Sequence, residues 1–181
     1  MLLRILPFLL ALTLTSCTGE RVSVDLEHAS IRSIPHSKLW PDSKEQRSAR
    51  DVLQLNISSQ TELLSYFRER DKQLQVRCSV HGNSNGRDYS GFAIGPVPEL
   101  SGVTSPPFHY VIYSFIDLEA DDTEYAQGKP ASTVDLKSTP FESLTCTLVG
   151  VEKAPVPFLR STDLVVSSKT FHQLVDAASG K

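Results

Sequence analysis

The chain has 181 residues, 22% of them charged, and a formal net charge of −3 at pH 7. This length suits one domain with a single buried core, and the mild negative charge argues against a nucleic-acid partner, which needs a basic face. No apolar run of about 18 residues occurs after residue 17, so the sequence predicts no membrane-spanning helix beyond that point.

The first 17 residues carry the most specific motif. Arg4 precedes a short apolar run, Ile5 to Thr13, and Leu14-Thr15-Ser16-Cys17 follows. A basic start, an apolar stretch and small residues at a cut site are typical of a signal peptide. Two alternatives are an ordinary secretory signal, which favours an A-x-A cut site, and a membrane anchor, which needs about 20 apolar residues. The cysteine directly after the small residues resembles the lipobox of bacterial lipoproteins.

This resemblance implies that Cys17 is acylated and that the chain is cut directly before it. Residues 1–16 are then the signal peptide, 17–21 a lipidated tether and 22–181 a single β-rich periplasmic domain. In this family an aspartate after the cysteine tends to retain the protein at the inner membrane, so Thr18 favours the periplasmic face of the outer membrane. Each buried acyl methylene contributes about 0.8 kcal/mol, so the lipid on Cys17 is expected to hold the protein at the membrane.

Alternation and capping signals predict the first elements after the tether. Apolar and polar residues alternate over 22–27 and over 52–57, which predicts two strands. The polar stretch 28–50 has no clean period and contains two prolines, so it is predicted to be irregular. Ser59-Gln60-Thr61-Glu62 fits a capping box. With the apolar residues that follow at helical spacing, it predicts one amphipathic helix, about 59–71, packed on the sheet.

From residue 74 onward short strands dominate. They are predicted at 74–80, 89–94, 108–118, 133–136, 144–151 and 163–167. The run 108–118 is apolar on both faces, as in a central strand, and Ser168 is predicted to cap a short C-terminal helix. The predicted fold is mainly β: an antiparallel β-sandwich or curved sheet with one packed helix and a C-terminal helix.

Two cysteines remain once Cys17 is assigned to lipid, namely Cys78 and Cys146. Each lies on the apolar side of an alternating strand, so both are predicted to point into the core. An even pair in an oxidising compartment favours a disulfide, and two buried free thiols are the alternative. Closing a loop of this size stabilises a protein by about 4 kcal/mol in the chain-entropy model.

One motif suggests catalysis. Residues 82–86 read G-x-S-x-G, with Ser84 in the nucleophile position, and His172 follows later as a base would in an α/β-hydrolase. That motif requires a helix directly after the serine. Asn85-Gly86 instead predicts a tight hairpin turn, followed by the strand at 89–94. A small periplasmic serine hydrolase using Ser84 is therefore the alternative to a non-catalytic protein.

The remaining polar residues suggest binding. The five histidines show no metal-ligand spacing, and the acidic residues of 119–124 lack the EF-hand pattern, so no metal or cofactor is predicted. Asn85, Arg87, Asp121 and Asp122 lie in polar connections and are the candidate partner-binding residues. The predicted function is a lipid-anchored periplasmic binding protein without catalytic activity, either of the inhibitor or immunity type or an envelope-assembly accessory. Its partner is predicted to be a periplasmic or envelope protein with a basic surface.

Overall fold

A computed structural model describes residues 21–39, 49–70, 72–82, 89–100, 102–120, 133–151 and 159–180. The strands in these ranges are β1 (Arg21–Val22), β2 (Asp25–Ile34), β3 (Arg50–Ser59), β4 (Gln73–His81), β5 (Tyr89–Pro98), β6 (Phe108–Phe115), β7 (Asp117–Ala120), β8 (Thr133–Asp135), β9 (Ser143–Val151), β10 (Leu159–Ser161) and β11 (Leu164–Ser167). The helices are α1 (His36–Leu39), α2 (Leu63–Arg68) and α3 (Ser168–Ala178). The predicted fold class, mainly β with a curved sheet, a packed helix and a C-terminal helix, is confirmed.

All the described strands belong to one sheet. Its main order is β1-β10-β9-β4-β5-β6-β3-β2, with β11 beside β9, β7 beside β5, and β8 beside β7. The pair of β1 and β10 is parallel and the other described pairs are antiparallel. The sheet is thus antiparallel except at this one described pair.

The sheet curls until its two edges meet. β1 and β2 lie at opposite ends of the strand order, yet only Ser23 and Val24 separate them in the chain. Side chains from both edges hold these two residues. The Ser59 hydroxyl donates to the carbonyl of Ser23 at 2.9 Å. The Thr162 hydroxyl donates to the Val24 carbonyl at 2.8 Å and accepts from the Val24 amide at 2.9 Å. The segment 21–34 therefore belongs to both edges.

The core lies on the inner face of the curled sheet. Each central strand supplies alternate residues to it, as period-2 side-chain geometry requires. The inner residues of the four central strands are Leu53, Leu55 and Ile57, then Val76, Cys78 and Val80, then Tyr110 and Ile112, and finally Leu144, Cys146 and Leu148. The predicted central strand 108–118 is divided into β6 and β7. Its two faces are as expected, since Tyr110 and Ile112 are buried while His109 and Val111 are half-buried.

Two helices pack against this sheet. α2 places Phe67 in the core beside Gly150, where a side chain at residue 150 would come within about 3.1 Å of the Phe67 ring. α3 packs against β2, with Phe171 fully buried and its ring centroid 5.6 Å from that of Phe141. The N-cap of α3 is Ser167, whose side chain accepts from the amide of Thr170 at 3.2 Å. The C-terminal helix is confirmed and its cap is one residue earlier than predicted.

The predicted helix over 59–71 is wrong in its extent. Ser59 is the last residue of β3, paired with Phe108, and its hydroxyl also accepts from the amide of Thr61 at 3.1 Å. The N-cap of α2 is Glu62, whose carboxylate accepts from the amide of Ser65 at 2.7 Å. Because the strand ladder and the Ser23 contact already engage Ser59, the predicted capping box between Ser59 and Glu62 does not form.

The predicted irregular stretch 28–50 is wrong in its first part. β2 continues to Ile34 and α1 follows. A register shift between Leu26 and His28 interrupts the pairing of β2 with β3, which also interrupts the apolar and polar alternation. Ile34 and Leu39 pack over Val52 as a small cluster separate from the main core.

Candidate binding surfaces

The predicted lipidation site lies outside the described residues. Cys17 precedes the first described residue, Arg21, by four positions, and its acylation stays a prediction. Arg21 itself was expected in the tether, but it pairs with Arg160 as part of β1. Arg21 is thus part of the sheet, and the predicted domain bounds stay a prediction.

The two remaining cysteines come together. Cys78 and Cys146 are register partners on the neighbouring strands β4 and β9, with a Cα–Cα distance of 4.0 Å. Their sulfurs are 2.10 Å apart, a disulfide distance, and both residues are buried. The two inward-facing cysteines predicted from alternation thus lie side by side in the core.

Three of the predicted site residues, Ser84, Asn85 and Arg87, lie in 83–88, outside the described residues. The strands on either side are antiparallel neighbours, with Val80 paired to Tyr89. The element after Ser84 that the structure describes is therefore strand β5. A nucleophile elbow needs a helix directly after the serine, and the first element described after Ser84 is a strand instead.

The acidic candidates Asp121 and Asp122 also lie outside the described residues, in 121–132. The strands that flank the two connections are nevertheless in contact: Tyr89, directly after 83–88, pairs with Ala120, directly before 121–132. The connection that carries Asn85 and Arg87 therefore rejoins the sheet where the connection that carries Asp121 and Asp122 leaves it.

The strand register places these connections far from the start of the domain. On β9, Ser143 pairs with His81, the last residue of β4, and Val149 pairs with Arg160, the register partner of Arg21. From Ser143 to Val149 is six residues at about 3.4 Å each, or about 20 Å. We name the end of the sheet at Arg21 the anchor end, and the end from which 83–88 leaves the distal end.

A groove of about 340 Å³ opens at the anchor end. It lies between the start of α2 and the connection from β5 to β6, and we name it the Leu100 groove. The residues that line it are Glu62, Pro98, Glu99, Leu100, Gly102, Val103, Phe108, His109 and Tyr110. The amide of Glu99 donates to the carbonyl of His109 at 3.0 Å, so the strand pairing of β5 with β6 sets the base of the groove.

Glu62 and Tyr110 form the polar wall of the Leu100 groove. The Tyr110 hydroxyl donates to the Glu62 carboxylate at 3.1 Å and accepts from the amide of Leu63 at 2.9 Å. Burial, assisted by the adjacent Glu62 carboxylate, raises the pKa of Tyr110 to about 12. Burial acts to raise the pKa of Glu62, but the hydrogen bonds from Ser65 and Tyr110 outweigh it, so the net shift is below its ordinary value of 4.5. Glu62 is therefore ionised and Tyr110 neutral at pH 7.

The rim of the Leu100 groove is apolar and exposed. Leu100 and Val103, which line the groove, are 71% and 40% exposed, and Val97, just before it on β5, is 45% exposed. The other large hydrophobic side chain exposed in the described ranges is Val165, on β11. Single exposed apolar residues are ordinary, but a cluster of them marks an interaction surface. Sequence reasoning missed this surface because alternation along a strand does not show that the residues between β5 and β6 lie beside Glu62.

A second depression, of about 370 Å³, lies on the outer face of β4 and β9. Its lining is mostly polar: Arg77, Ser79, His81, Thr145, Thr147, Val149, Val151, Arg160 and Asp163. The Thr147 hydroxyl donates to Asp163 at 2.8 Å. Alternation predicted outward positions for the β4 and β9 residues, but it contained no signal for a concave surface.

The described ranges contain no group of three or more histidine, cysteine, aspartate or glutamate side chains placed to hold a metal ion. No helix within these ranges is long and apolar enough to cross a membrane. Comparison of the chain with protein-family models, with curated proteins and with solved structures gave no match. The functional interpretation therefore depends on the residues and geometry of this chain.

Proposed function

We propose that this protein is a lipid-anchored binding protein of the bacterial envelope, held by Cys17 at the periplasmic face of the outer membrane. It binds another envelope protein through its distal end and performs no catalysis. This is how inhibitor or immunity lipoproteins and envelope-assembly accessory proteins work. The lipobox resemblance of Leu14-Thr15-Ser16-Cys17 supports the anchor, and Thr18 supports the outer membrane.

The observation that carries the proposal is the pairing of Tyr89 with Ala120. It brings the residue after one connection next to the residue before the other, and these two connections contain the candidate partner-binding residues. Both lie about 20 Å along the sheet from the level of Arg21, where the tether joins the domain. A partner in the periplasm reaches this end without meeting the membrane.

The acidic residues near the distal end indicate the charge that the partner's surface should have. Asp121 and Asp122 are two of the acids in 117–124, which contains no lysine or arginine. A basic partner surface complements such a segment and increases both association rate and specificity.

The first arm of the test concerns the anchor. Cells that express the full chain are labelled with a fatty-acid analogue, and the Cys17→Ser variant is the matched control. We expect label on the wild-type protein and none on the variant, which should also leave the membrane fraction. Label that persists in Cys17→Ser would remove the basis for the anchor.

The second arm concerns the partner. A photo-crosslinking amino acid is placed at Asn85 or at Asp122, with Val103 at the anchor end as the control position. We expect one common protein adduct from both distal positions and none from Val103. Asp121→Lys combined with Asp122→Lys should decrease capture about tenfold, because like charges then face the basic partner. Ser84→Ala should leave capture and phenotype intact; if it abolishes activity in a folded protein, the serine hydrolase is the correct interpretation.

A further inference from the structure

We propose that the connection between β5 and β6 rests on the membrane to which Cys17 is attached. Leu100 and Val103 enter the lipid interface, and the carboxylates of Glu62 and Glu99 face the ammonium headgroups of a zwitterionic phospholipid surface. The Leu100 groove is thus a second, non-covalent membrane contact. This inference rests on the acylation of Cys17 in the proposed function.

The tether limits how far the anchor end can be from the membrane. Residues 17–20 separate the acylated cysteine from Arg21. A fully extended chain spans at most about 3.6 Å per residue, so Cys17 lies no more than about 14 Å from Arg21. That reach is shorter than the sheet is long, since its two ends are about 20 Å apart. The anchor end is therefore the end that faces the bilayer.

The Leu100 groove lies directly beside the point where the chain enters the domain. Ser59 donates its hydroxyl hydrogen to the carbonyl of Ser23 at 2.9 Å, and Ser59 is the register partner of Phe108, a lining residue of the groove. Neighbouring strands are about 4.8 Å apart. The path from Ser23 through Ser59 to Phe108 is therefore about 10 Å, which brings the groove and the tether to the same side of the molecule.

The chemistry of the rim matches a lipid interface. Leu100, at 71%, is the most exposed of the large hydrophobic side chains that the structure describes, and Val97 and Val103 lie near it in sequence. Moving apolar surface out of water is favourable, roughly in proportion to the area transferred. A small bilayer contact needs little intrinsic affinity, because the lipid on Cys17 already provides a high local concentration.

The charge of the groove selects the kind of lipid. The segment 97–107 contains no lysine or arginine, and two groove residues, Glu62 and Glu99, carry carboxylates. Asn56 donates a hydrogen bond to Glu99, which holds that carboxylate near the end of β5. A negative groove is repelled by anionic lipid and complements ammonium headgroups. A protein segment with apolar and basic side chains shares this chemistry, but the short tether favours the bilayer as the occupant.

The test places a polarity-sensitive fluorophore on the lipidated full chain through Leu100→Cys. With Cys17 acylated and Cys78 bonded to Cys146, the introduced thiol is the single free one. The protein is reconstituted in vesicles of phosphatidylethanolamine and phosphatidylcholine, with and without lipids that carry a quencher near the headgroup. We expect the fluorescence to increase at least twofold in vesicles without the quencher and to be reduced strongly in vesicles that contain it. The matched control is Val165→Cys, which is also exposed (54%) but pairs with Thr145, toward the distal end.

Two further measurements test the role of charge and of the Leu100 side chain in the lipid contact. Replacing about a third of the lipid by phosphatidylglycerol should decrease quenching at residue 100 about twofold, because the vesicle surface then repels the groove carboxylates. Leu100→Asp, measured with the fluorophore at Val103→Cys, should decrease quenching at least threefold. Because Leu100 is largely exposed, this variant is expected to fold, and circular dichroism verifies that it does.

Three results would overturn the proposal in distinguishable ways. If Cys17 is acylated by mass spectrometry and Leu100 is quenched no more than Val165, the lipid contact is wrong and the anchor stands. If Cys17 is not acylated, the anchor and the contact both fail. If the fluorophore at residue 100 responds to added envelope proteins and not to vesicles, the groove binds a protein segment.

Discussion

The two ends of the curled sheet differ in how they are built. At the anchor end, polar groups from distant parts of the chain satisfy one another, as Ser59 does for Ser23 and Thr162 for Val24. At the distal end, the described elements are the ends of β4, β5 and β7, held by strand pairing such as that of Tyr89 with Ala120. At the anchor end, side chains bond to the backbone of a segment that is distant in sequence. At the distal end, the strand ladders are joined by ion pairs between side chains, such as that of Lys137 with Asp51 at 2.7 Å.

This difference suggests a division of roles. Side-chain contacts hold Ser23 and Val24, and they therefore fix the place where the described chain enters the sheet. Backbone ladders support connections whose sequence is free to vary, which is why binding residues are often found on loops held by a rigid sheet. The predictions below test whether the two ends behave as separate units.

The largest expected effect comes from the disulfide, which joins β4 and β9 between the two ends. Replacing both Cys78 and Cys146 by serine opens a loop of 68 residues and should lower the free energy of unfolding by about 4 kcal/mol. Urea unfolding of the soluble domain measures this. Amide exchange should become faster at both ends, because the ladder of β4 and β9 extends from one to the other.

The matched control for the disulfide is reduction of the wild type. A reductant should lower the stability of the wild-type domain to that of the double variant and leave the variant unchanged. If oxidised and reduced wild type unfold at the same urea concentration, the bridge does not stabilise the fold. Faster exchange at one end alone would show that the two ends are not coupled through β4 and β9.

Sequence patterns predicted most of the sheet, because half-buried strands show a period of 2. Residues 74–80, 108–118 and 144–151 alternate clearly, and each range contains a strand. β2 was predicted only in part, since the bulge after Leu26 shifts the alternation and an edge strand has polar residues on its open side. β10 has three residues, too few for any periodic signal.

The candidate surfaces were less predictable than the strands. Alternation identified which face of a strand is buried, but the Leu100 groove depends on which strands are neighbours. The predicted capping box at Ser59 failed for the same reason: local sequence does not show tertiary contacts. Pairing with Phe108 and the hydrogen bond to Ser23 keep Ser59 in β3, although its sequence favours a helix cap. Polar connections were recognised as binding candidates from composition, and the structure adds that two residues flanking them, Tyr89 and Ala120, are register partners.

A smaller effect is expected where the two edges of the sheet meet, at the hydrogen bonds between Thr162 and Val24. Thr162→Val keeps the shape of the side chain but removes both hydrogen bonds to Val24, which is 4% exposed. Leaving buried backbone groups without a partner should cost about 2 kcal/mol. The control is Thr147→Val, whose hydroxyl bonds to Asp163 on an exposed face and should cost less than about 1 kcal/mol. If both variants lose the same free energy of unfolding, the bonds between Thr162 and Val24 stabilise the fold no more than an exposed hydrogen bond does.

The smallest effect concerns the carboxylate in the Leu100 groove, and it depends on pH. Glu62→Gln keeps an acceptor for the amide of Ser65 but removes the charge that strengthens the bonds from Ser65 and Tyr110. Hydrogen bonds to charged groups are stronger than neutral ones by about 1 kcal/mol, so the variant should be less stable than the wild type by about this amount at pH 7. Urea unfolding of both proteins measures the difference.

The sign of the pH dependence follows from the lowered pKa of Glu62 in the folded state. The stabilisation from the ionised carboxylate is complete above the ordinary value of 4.5 and is lost as the pH falls through the lower pKa of the folded protein. The difference between the wild type and Glu62→Gln should therefore shrink as the pH is lowered from 7 to below that pKa. Comparing the two proteins at each pH cancels the contribution of the other carboxylates, such as Asp51. A difference that stays constant from pH 7 to pH 3 would show that folding does not lower the pKa of Glu62. The polar wall of the groove would then not depend on the charge of Glu62.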